Sequence, residues 1–209
     1  DLAEGVTPPD ASMGEAACDA AGTGPVGEGR VGAGAGARVG KLAGLESSMP
    51  GGVGSWSVEA GPWTVGALAV VNALGDVLDG AGTIVAGARN EDGVFLDGAA
   101  LARSAPWKEE GGAMDGLAAG TDTTLAVVAT DAPLAPRDLV RVARVAGNAL
   151  PRRIHPVHTP YDGDVVFAVS TGEVADGAEL PAPRVLALAL AAQEALEEAI
   201  TRAVIAGTS

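Results

Sequence analysis

The second half of the chain alternates between strand-like and helix-like segments. Residues 123–130, TTLAVVAT, form a short apolar run rich in β-branched side chains, which is typical of a buried strand. Apolar residues at helical spacing then predict a helix from Pro136 that Pro151 ends. Residues 163–173 predict a second strand, and 183–207 a long helix. Strand, helix, strand and helix in this order favour an α+β fold in which helices pack on a sheet.

The first half is less regular. Residues 10–21 predict a short helix with an aspartate N-cap. Residues 29–44, rich in glycine and alanine, are not helical, and their glycines indicate close approach of backbone segments. A buried strand is predicted over 65–71, followed by a turn at 75–76. Residues 86–122 are polar and glycine-rich, and we expect them to be the least regular part of the chain.

The core has to be built from small aliphatic side chains. Only 3% of the 209 residues are aromatic, whereas 47% are hydrophobic. Ala, Val and Leu let helices and sheets approach one another closely, which suits a single domain made of packed layers.

Charge and cysteine content narrow the possible functions. The net charge is −14 with 13 Lys and Arg residues, which argues against a nucleic-acid-binding surface. The single cysteine, Cys18, cannot form an internal disulfide, which is compatible with a cytoplasmic location. We expect Cys18 to be buried on the small-residue face of the first helix. No apolar run is long enough to predict a membrane span.

Three threonines lie at the start of the predicted strand. Thr121, Thr123 and Thr124 occupy the junction between a polar, glycine-rich segment and a buried strand. The β-propensity of threonine is by itself a sufficient explanation. The alternative is that one hydroxyl is a nucleophile, activated by an α-amine that cleavage of the preceding bond would expose. The bond between Asp122 and Thr123 is a suitable place for such a cut.

Two aspartates precede the second strand. Asp162 and Asp164 flank Gly163, and in extended backbone their side chains would point to the same face. Neighbouring carboxylates can orient the proton acceptor of a nucleophile or share a proton. An Asx-turn or a weak cation site would explain the same residues.

Three further sets of polar residues are candidates. Lys41 follows the glycine-rich segment, where its ammonium could polarise a carbonyl, although a lone lysine is commonly a surface charge. Asn72 interrupts an apolar strand, and its amide could hold an oxyanion or be a satisfied core group. His155 and His158 are predicted to be loop residues near the two aspartates, with no third metal ligand evident.

Four segments, taken in order, resemble one family. GRVGAGAGARVGK, VGALAVVNALGDV, TTLAVVATDAPL and RRIHPVHTPYDGDVVFAVSTG are arranged as in the DmpA-type L-aminopeptidase/D-esterase family. That family includes β-peptidyl aminopeptidases and nylon-oligomer hydrolases. The resemblance covers nearly the whole chain. It implies an αββα four-layer sandwich of the N-terminal-nucleophile type, small peptide or amide substrates, no cofactor, and a homo-oligomer, namely a tetramer.

The resemblance also implies self-cleavage. Thr123 is similar to the nucleophile of the family, which becomes an N-terminus when the precursor cuts itself. The cut would fall between Asp122 and Thr123. Residues 1–122 and 123–209 would then be an α and a β fragment that stay associated.

The resemblance implies roles for four other residues. Asp162 and Asp164 match the pair that orients the nucleophile in the nylon-hydrolase branch, since the aminopeptidases carry Ser and Glu there. Lys41 matches the active-site lysine of that branch. Asn72 matches the asparagine expected near the oxyanion.

Two departures from the family pattern leave alternatives open. Asp122 stands where members usually carry Asn or Gly, and Thr121 is the fallback nucleophile, although Thr123 keeps the family's distance to the aspartate pair. Members also carry a segment ahead of the position matching Asp1, with an active-site tyrosine that Tyr161 does not replace. The alternative functions are an acyltransferase of the ornithine acetyltransferase type and a processing-deficient homologue that binds ligands.

Overall fold

The computed structural model describes residues 8–104, 122–173 and 179–207. The α-helices are α1 (Ala11–Asp19), α2 (Gly98–Ser104), α3 (Pro136–Ala146), α4 (Ala149–Arg153) and α5 (Ala182–Gly207). The strands are β1 (Arg38–Val39), β2 (Met49–Pro50), β3 (Gly52–Ala60), β4 (Trp63–Asn72), β5 (Asp76–Leu78), β6 (Ile84–Ala86), β7 (Thr123–Thr130), β8 (Ile154–His155) and β9 (Val165–Ser170). Helices and sheets together confirm the α+β class. In the described residues, no helix is long and apolar enough to span a membrane.

The main sheet has four strands in the order β3-β4-β7-β9. β4 runs antiparallel to both β3 and β7, whereas β9 runs parallel to β7. Strand β7 is therefore an interior strand, with Thr123 opposite Asn72 and Leu125 opposite Val165. This register brings the end of β4, the start of β7 and the segment before β9 to the same end of the sheet.

One face of this sheet is covered by helices, and α5 makes the most extensive contact. The helix buries a row of alanines that includes Ala192, Ala195, Ala199 and Ala203. A Cβ placed on Gly54 would lie only 2.0 Å from the carbonyl oxygen of Ala199, so β3 and α5 approach closely only because this residue is glycine. The core is thus built from small side chains, as the low aromatic content predicts.

The opposite face of the sheet carries apolar side chains that remain exposed in the described residues. The exposed residues are Leu68, Leu125, Val127, Phe167 and Val169. Two smaller sheets accompany the main one, with strand orders β1-β2 and β6-β5-β8.

Several local predictions are corrected by the structure. The turn expected at 75–76 is half correct: Gly75 lies in a bend, but Asp76 begins β5, and its buried carboxylate accepts hydrogen bonds from the Ala88 and Gly98 N–H groups. The irregular region 86–122 contains α2 in its described part. Cys18 is exposed, because α1 buries none of its residues.

The structure also corrects the predicted positions of Pro151 and His155 relative to the helices and strands. Pro151 does not end a helix but lies in the first turn of α4, where a missing N–H removes no intrahelical bond. Gly147, rather than Pro151, caps α3. His155 lies in β8, paired with Asp76, and not in a loop.

Candidate active site

The sequence candidates converge at one end of the main sheet. Thr123 begins β7 and lies opposite Asn72, the last residue of β4. Asp122 forms a parallel bridge with Asp162, just before β9. Lys41 reaches the same place from a 3₁₀ turn over Lys41–Ala43, which is held by a hydrogen bond from the Lys41 N–H to the Leu74 carbonyl oxygen.

Glycine is required at the turn that positions Lys41. Gly40 has a φ of 71°, in the left-handed region, and a Cβ there would lie 2.2 Å from the Ala88 nitrogen. The close backbone approach predicted for the glycine-rich segment is therefore confirmed at Gly40.

Gly163 makes contacts with both residues of the proposed cleavage bond. Its N–H donates a hydrogen bond of 2.7 Å to the Asp122 carbonyl oxygen. A Cβ at Gly163 would lie 2.8 Å from Thr123 Oγ1, so the hydroxyl packs directly against the glycine backbone. A backbone N–H aimed at a carbonyl oxygen is the usual way to stabilise the oxyanion that forms when this carbonyl is attacked.

Lys41 forms a buried ion pair with Asp122. Its Nζ lies 2.5 Å from Asp122 Oδ1, and the two side chains are 2% and 1% exposed. The same ammonium donates to the backbone oxygen of Asn72 at 3.0 Å and to Asn72 Oδ1 at 3.1 Å. Burial lowers the pKa of Lys41, and the hydrogen bond to Asp122 acts in the opposite direction.

Asn72 is oriented by this cluster. Its Oδ1 also accepts a 3.0 Å hydrogen bond from the Arg38 N–H. With two donors on the oxygen, the amide group is fixed, and its nitrogen remains the donor end. This orientation is compatible with the oxyanion role that the family resemblance implies.

Asp164 binds the backbone of Thr124, the residue that follows the nucleophile candidate in β7. Its Oδ1 accepts a 2.7 Å hydrogen bond from the Thr124 N–H. Its Oδ2 is buried and lies 3.5 Å from His158 Nδ1. Burial raises the pKa of the Asp164 carboxyl, and the Thr124 N–H lowers it.

Asp162 contributes to a turn but does not form the predicted Asx-turn. Its Oδ2 accepts a 2.7 Å hydrogen bond from the Thr159 N–H, three residues earlier, whereas an Asx-turn needs a donor two residues later. Its charge also acts on Lys41, raising the pKa of the ammonium, and on Asp164, raising the pKa of that carboxyl. The residue therefore contributes both to the turn and to the electrostatics of the site.

The structure brings the sequence candidates together and adds one residue, Gly163, that the sequence interpretation missed. Thr123, Asp122, Lys41 and Asn72 lie together with the aspartate pair, while the fallback nucleophile Thr121 falls outside the described residues. In the sequence, Gly163 stands out only as the spacer between two aspartates. A glycine between two candidate site residues is the signal that could have found it, because such a position permits close approach of the backbone.

The arrangement of helices and sheets is that of the Ntn-hydrolase fold, a class of α+β proteins. A solved structure of an L-aminopeptidase D-Ala-esterase/amidase from Ochrobactrum anthropi, described as a new variant of the Ntn-hydrolase fold, matches with a TM-score of 0.63 at 26% identity. The match covers 93% of this chain and 49% of that one.

Sequence comparisons then identify the family. The model of peptidase family S58 matches residues 4–209, and the chain belongs to this family. An uncharacterized aminopeptidase of Mycobacterium leprae is 38% identical over 96% of this chain and 57% of its own length. A 6-aminohexanoate-oligomer endohydrolase of Agromyces sp. is 32% identical over 79% of this chain and 46% of its own length. The resemblance to the DmpA-type family is thereby confirmed, and the chain spans about half the length of the relatives it matches.

Proposed function

We propose that this chain carries the catalytic site of a self-cleaving amidohydrolase whose nucleophile is Thr123. The observation that carries the proposal is the contact of Gly163 with both residues of one peptide bond: its N–H binds the Asp122 carbonyl oxygen, and its backbone packs against the Thr123 hydroxyl. The names of the relatives, an aminopeptidase and an oligomer endohydrolase, support amide bonds as the target.

Self-cleavage begins with attack of Thr123 Oγ1 on the Asp122 carbonyl carbon. The carbonyl oxygen becomes an oxyanion, which the Gly163 N–H stabilises. As the C–N bond breaks, the Thr123 nitrogen takes up the proton that the hydroxyl loses, and an ester joins the two residues. Water then hydrolyses the ester, leaving a carboxylate on Asp122 and both a hydroxyl and an α-amine on Thr123.

Turnover uses the same hydroxyl on an external amide. The Thr123 amine accepts the hydroxyl proton while Oγ1 attacks the substrate carbonyl, and the leaving amine receives that proton. Asp164 holds the start of β7 through the Thr124 N–H, and Asp162 lies beside it. Asn72 is the second oxyanion donor. Water then hydrolyses the acyl-enzyme and regenerates the hydroxyl.

The proposal extends to the state of the protein after the cut. The two pieces, ending at Asp122 and beginning at Thr123, stay associated, and by the family resemblance the protein is a homo-oligomer.

Mass spectrometry of the purified protein, combined with two isosteric variants, tests the proposal. Thr123→Val keeps the β-branched shape and removes the hydroxyl, so we expect an uncut chain without amidase activity. Thr124→Val is the matched control, because the buried Thr124 hydroxyl makes no hydrogen bond among the described residues. We expect this control to be cut, with a fragment starting at Thr123.

The result is decided by the position of the cut. A protein that stays uncut on long incubation, or a Thr123→Val variant that retains amidase activity, contradicts the proposal. A fragment that begins at Thr121 assigns the nucleophile to the fallback position instead.

A further inference from the structure

The residue on the acyl side of the proposed cleavage bond is acidic, and a buried ammonium binds it. Lys41 Nζ lies 2.5 Å from Asp122 Oδ1, with both side chains almost fully buried. From this pair we infer that the site prefers amides whose acyl residue carries a carboxylate, aspartyl amides above all. The inference rests on the proposed function and names the substrate class for the same site.

Self-cleavage and turnover place an acyl residue in the same position. In both reactions the Thr123 hydroxyl attacks a carbonyl carbon, and in the first reaction that carbonyl belongs to Asp122. The attacking oxygen lies at the start of β7 and the oxyanion donor Gly163 lies in the loop beside it, so a substrate carbonyl has to occupy the position of the Asp122 carbonyl. The side chain of the substrate's acyl residue then enters the space that the Asp122 side chain fills, beside Lys41.

The charge of Lys41 makes this space selective. Apart from Asp122, the hydrogen-bond acceptors that Lys41 contacts in the described part of the chain are the two neutral oxygens of Asn72. When the end of the α fragment withdraws to admit substrate, the Asp122 carboxylate leaves the ammonium. A buried ammonium without a close anion is unfavourable, so a substrate carboxylate at this position stabilises the complex, whereas an aliphatic side chain does not.

Neighbouring charges do not replace this pairing. Asp162 acts on Lys41 electrostatically, but its Oδ2 is engaged by the Thr159 N–H. The Arg38 guanidinium is directed elsewhere, since it donates hydrogen bonds to Ser48 and to the Leu45 carbonyl oxygen. Among the described residues, Lys41 is therefore the cation that faces the acyl side chain.

The test compares kcat/KM for the 4-nitroanilides of L-aspartate, L-asparagine and L-leucine, using the purified, self-cleaved protein. Asparagine has the shape of aspartate without its charge, so the ratio of the aspartyl to the asparaginyl substrate reports the ion pair. We expect a ratio of about 10 to 100, as is typical of a hydrogen bond to a charged group. Lys41→Met should bring the ratio close to one, whereas Arg38→Met, the control for general loss of positive charge, should preserve it.

The outcomes separate this inference from the proposed function. A wild-type ratio at or below one, with neutral anilides still hydrolysed through Thr123, overturns the preference and leaves the amidase intact. An uncut chain that hydrolyses none of the anilides overturns both. If the Lys41→Met variant remains uncut, the inference is tested instead by inhibition of the wild-type enzyme. We expect L-aspartate to inhibit hydrolysis of the leucyl anilide more strongly than L-asparagine does. Equal inhibition by the two amino acids overturns the inference.

Discussion

Asp122 lies on the acyl side of the proposed cleavage bond, and its surroundings compensate its charge. A carboxylate next to the nucleophile would repel the developing oxyanion if it were unpaired. Here Lys41 lies 2.5 Å from the carboxylate and compensates its charge. The pair is almost fully buried, so removal of either partner leaves the other charge buried without this ion pair.

A double-mutant cycle measures this dependence. In a Thr123→Val background, which keeps the chain uncut, Asp122→Leu leaves a buried ammonium and Lys41→Met leaves a buried carboxylate. We expect each to lower the free energy of unfolding by about 3–5 kcal/mol, whereas the combined variant should lose much less because no unpaired charge remains. Urea denaturation gives the free energy of unfolding of the Thr123→Val background, the two single variants made in it and the combined variant. Losses that simply add would show that the two side chains do not depend on each other.

At the scale of elements, the site is assembled where the ends of two neighbouring strands meet a loop. β7 contributes the hydroxyl, β4 contributes Asn72, and the loop before β9 contributes Gly163 and the aspartates. The loop approaches β7 closely because residue 163 has no side chain. The geometry of the nucleophile therefore depends on a residue that carries no reactive group.

Gly163→Ala tests this dependence. The new Cβ would lie 2.8 Å from Thr123 Oγ1, which forces the hydroxyl out of position while the backbone can stay in place. We expect self-cleavage to slow by about 10- to 100-fold, the effect of a small displacement of a reacting group, with little change in stability. The rate follows from a time course of fragment formation on a denaturing gel.

Gly66→Ala, in β4 of the main sheet, provides the matched control. The nearest atom to a Cβ at Gly66 is the Trp56 carbonyl oxygen at 3.9 Å, so the substitution is accommodated. Equal cleavage rates in the two alanine variants would show that close approach at residue 163 is not what positions the hydroxyl.

The sequence predicts elements with strong local signals and misses those fixed by distant contacts. β7 is found at its observed bounds, because an apolar β-branched run bounded by polar residues has few alternatives. β5 is missed, because Asp76 resembles a turn residue and only its partners, the Ala88 and Gly98 N–H groups, make it a buried strand residue. α2 is missed although Asp97 caps it through the Ala100 N–H, since its surroundings are rich in glycine.

For the candidate site, too, the sequence indicates individual residues but not their long-range contacts. The family resemblance names Thr123, Lys41 and Asn72 as site residues, but no sequence pattern indicates that Lys41 would pair with a residue so far along the chain. The ion pair with Asp122 and the hydrogen bond from Gly163 arise from the order of strands in the sheet. Long-range pairing of this kind cannot be read from local periodicity.

At the scale of the whole molecule, the proposed cut divides the sheet between two fragments. β3 and β4 belong to residues 1–122, whereas β7, β9 and α5 belong to residues 123–209. The pairing of β4 with β7 extends over eight residue pairs, from Val65 opposite Thr130 to Asn72 opposite Thr123. In addition, α5 packs across β3 and β4. A shared sheet and a shared core would therefore hold the two fragments together after such a cut.

We therefore expect the cut protein to behave as one species. Size-exclusion chromatography in native buffer should elute both fragments in a single peak, and they should separate only in a denaturant that unfolds the protein. The uncut Thr123→Val variant gives the reference elution volume. Separation of the fragments in native buffer would contradict the shared core.

Newly made polypeptide ends ordinarily fray, because a terminal residue has neighbours on one side only. A cut at Thr123 differs, since the severed end begins an interior strand, with Asn72 on one flank and the backbone leading into β9 on the other. We therefore expect the amine released by the proposed cut to stay anchored by the strands on both sides. A protein with this strand order could cleave its own backbone while the amine and the hydroxyl of the new terminal residue keep their positions.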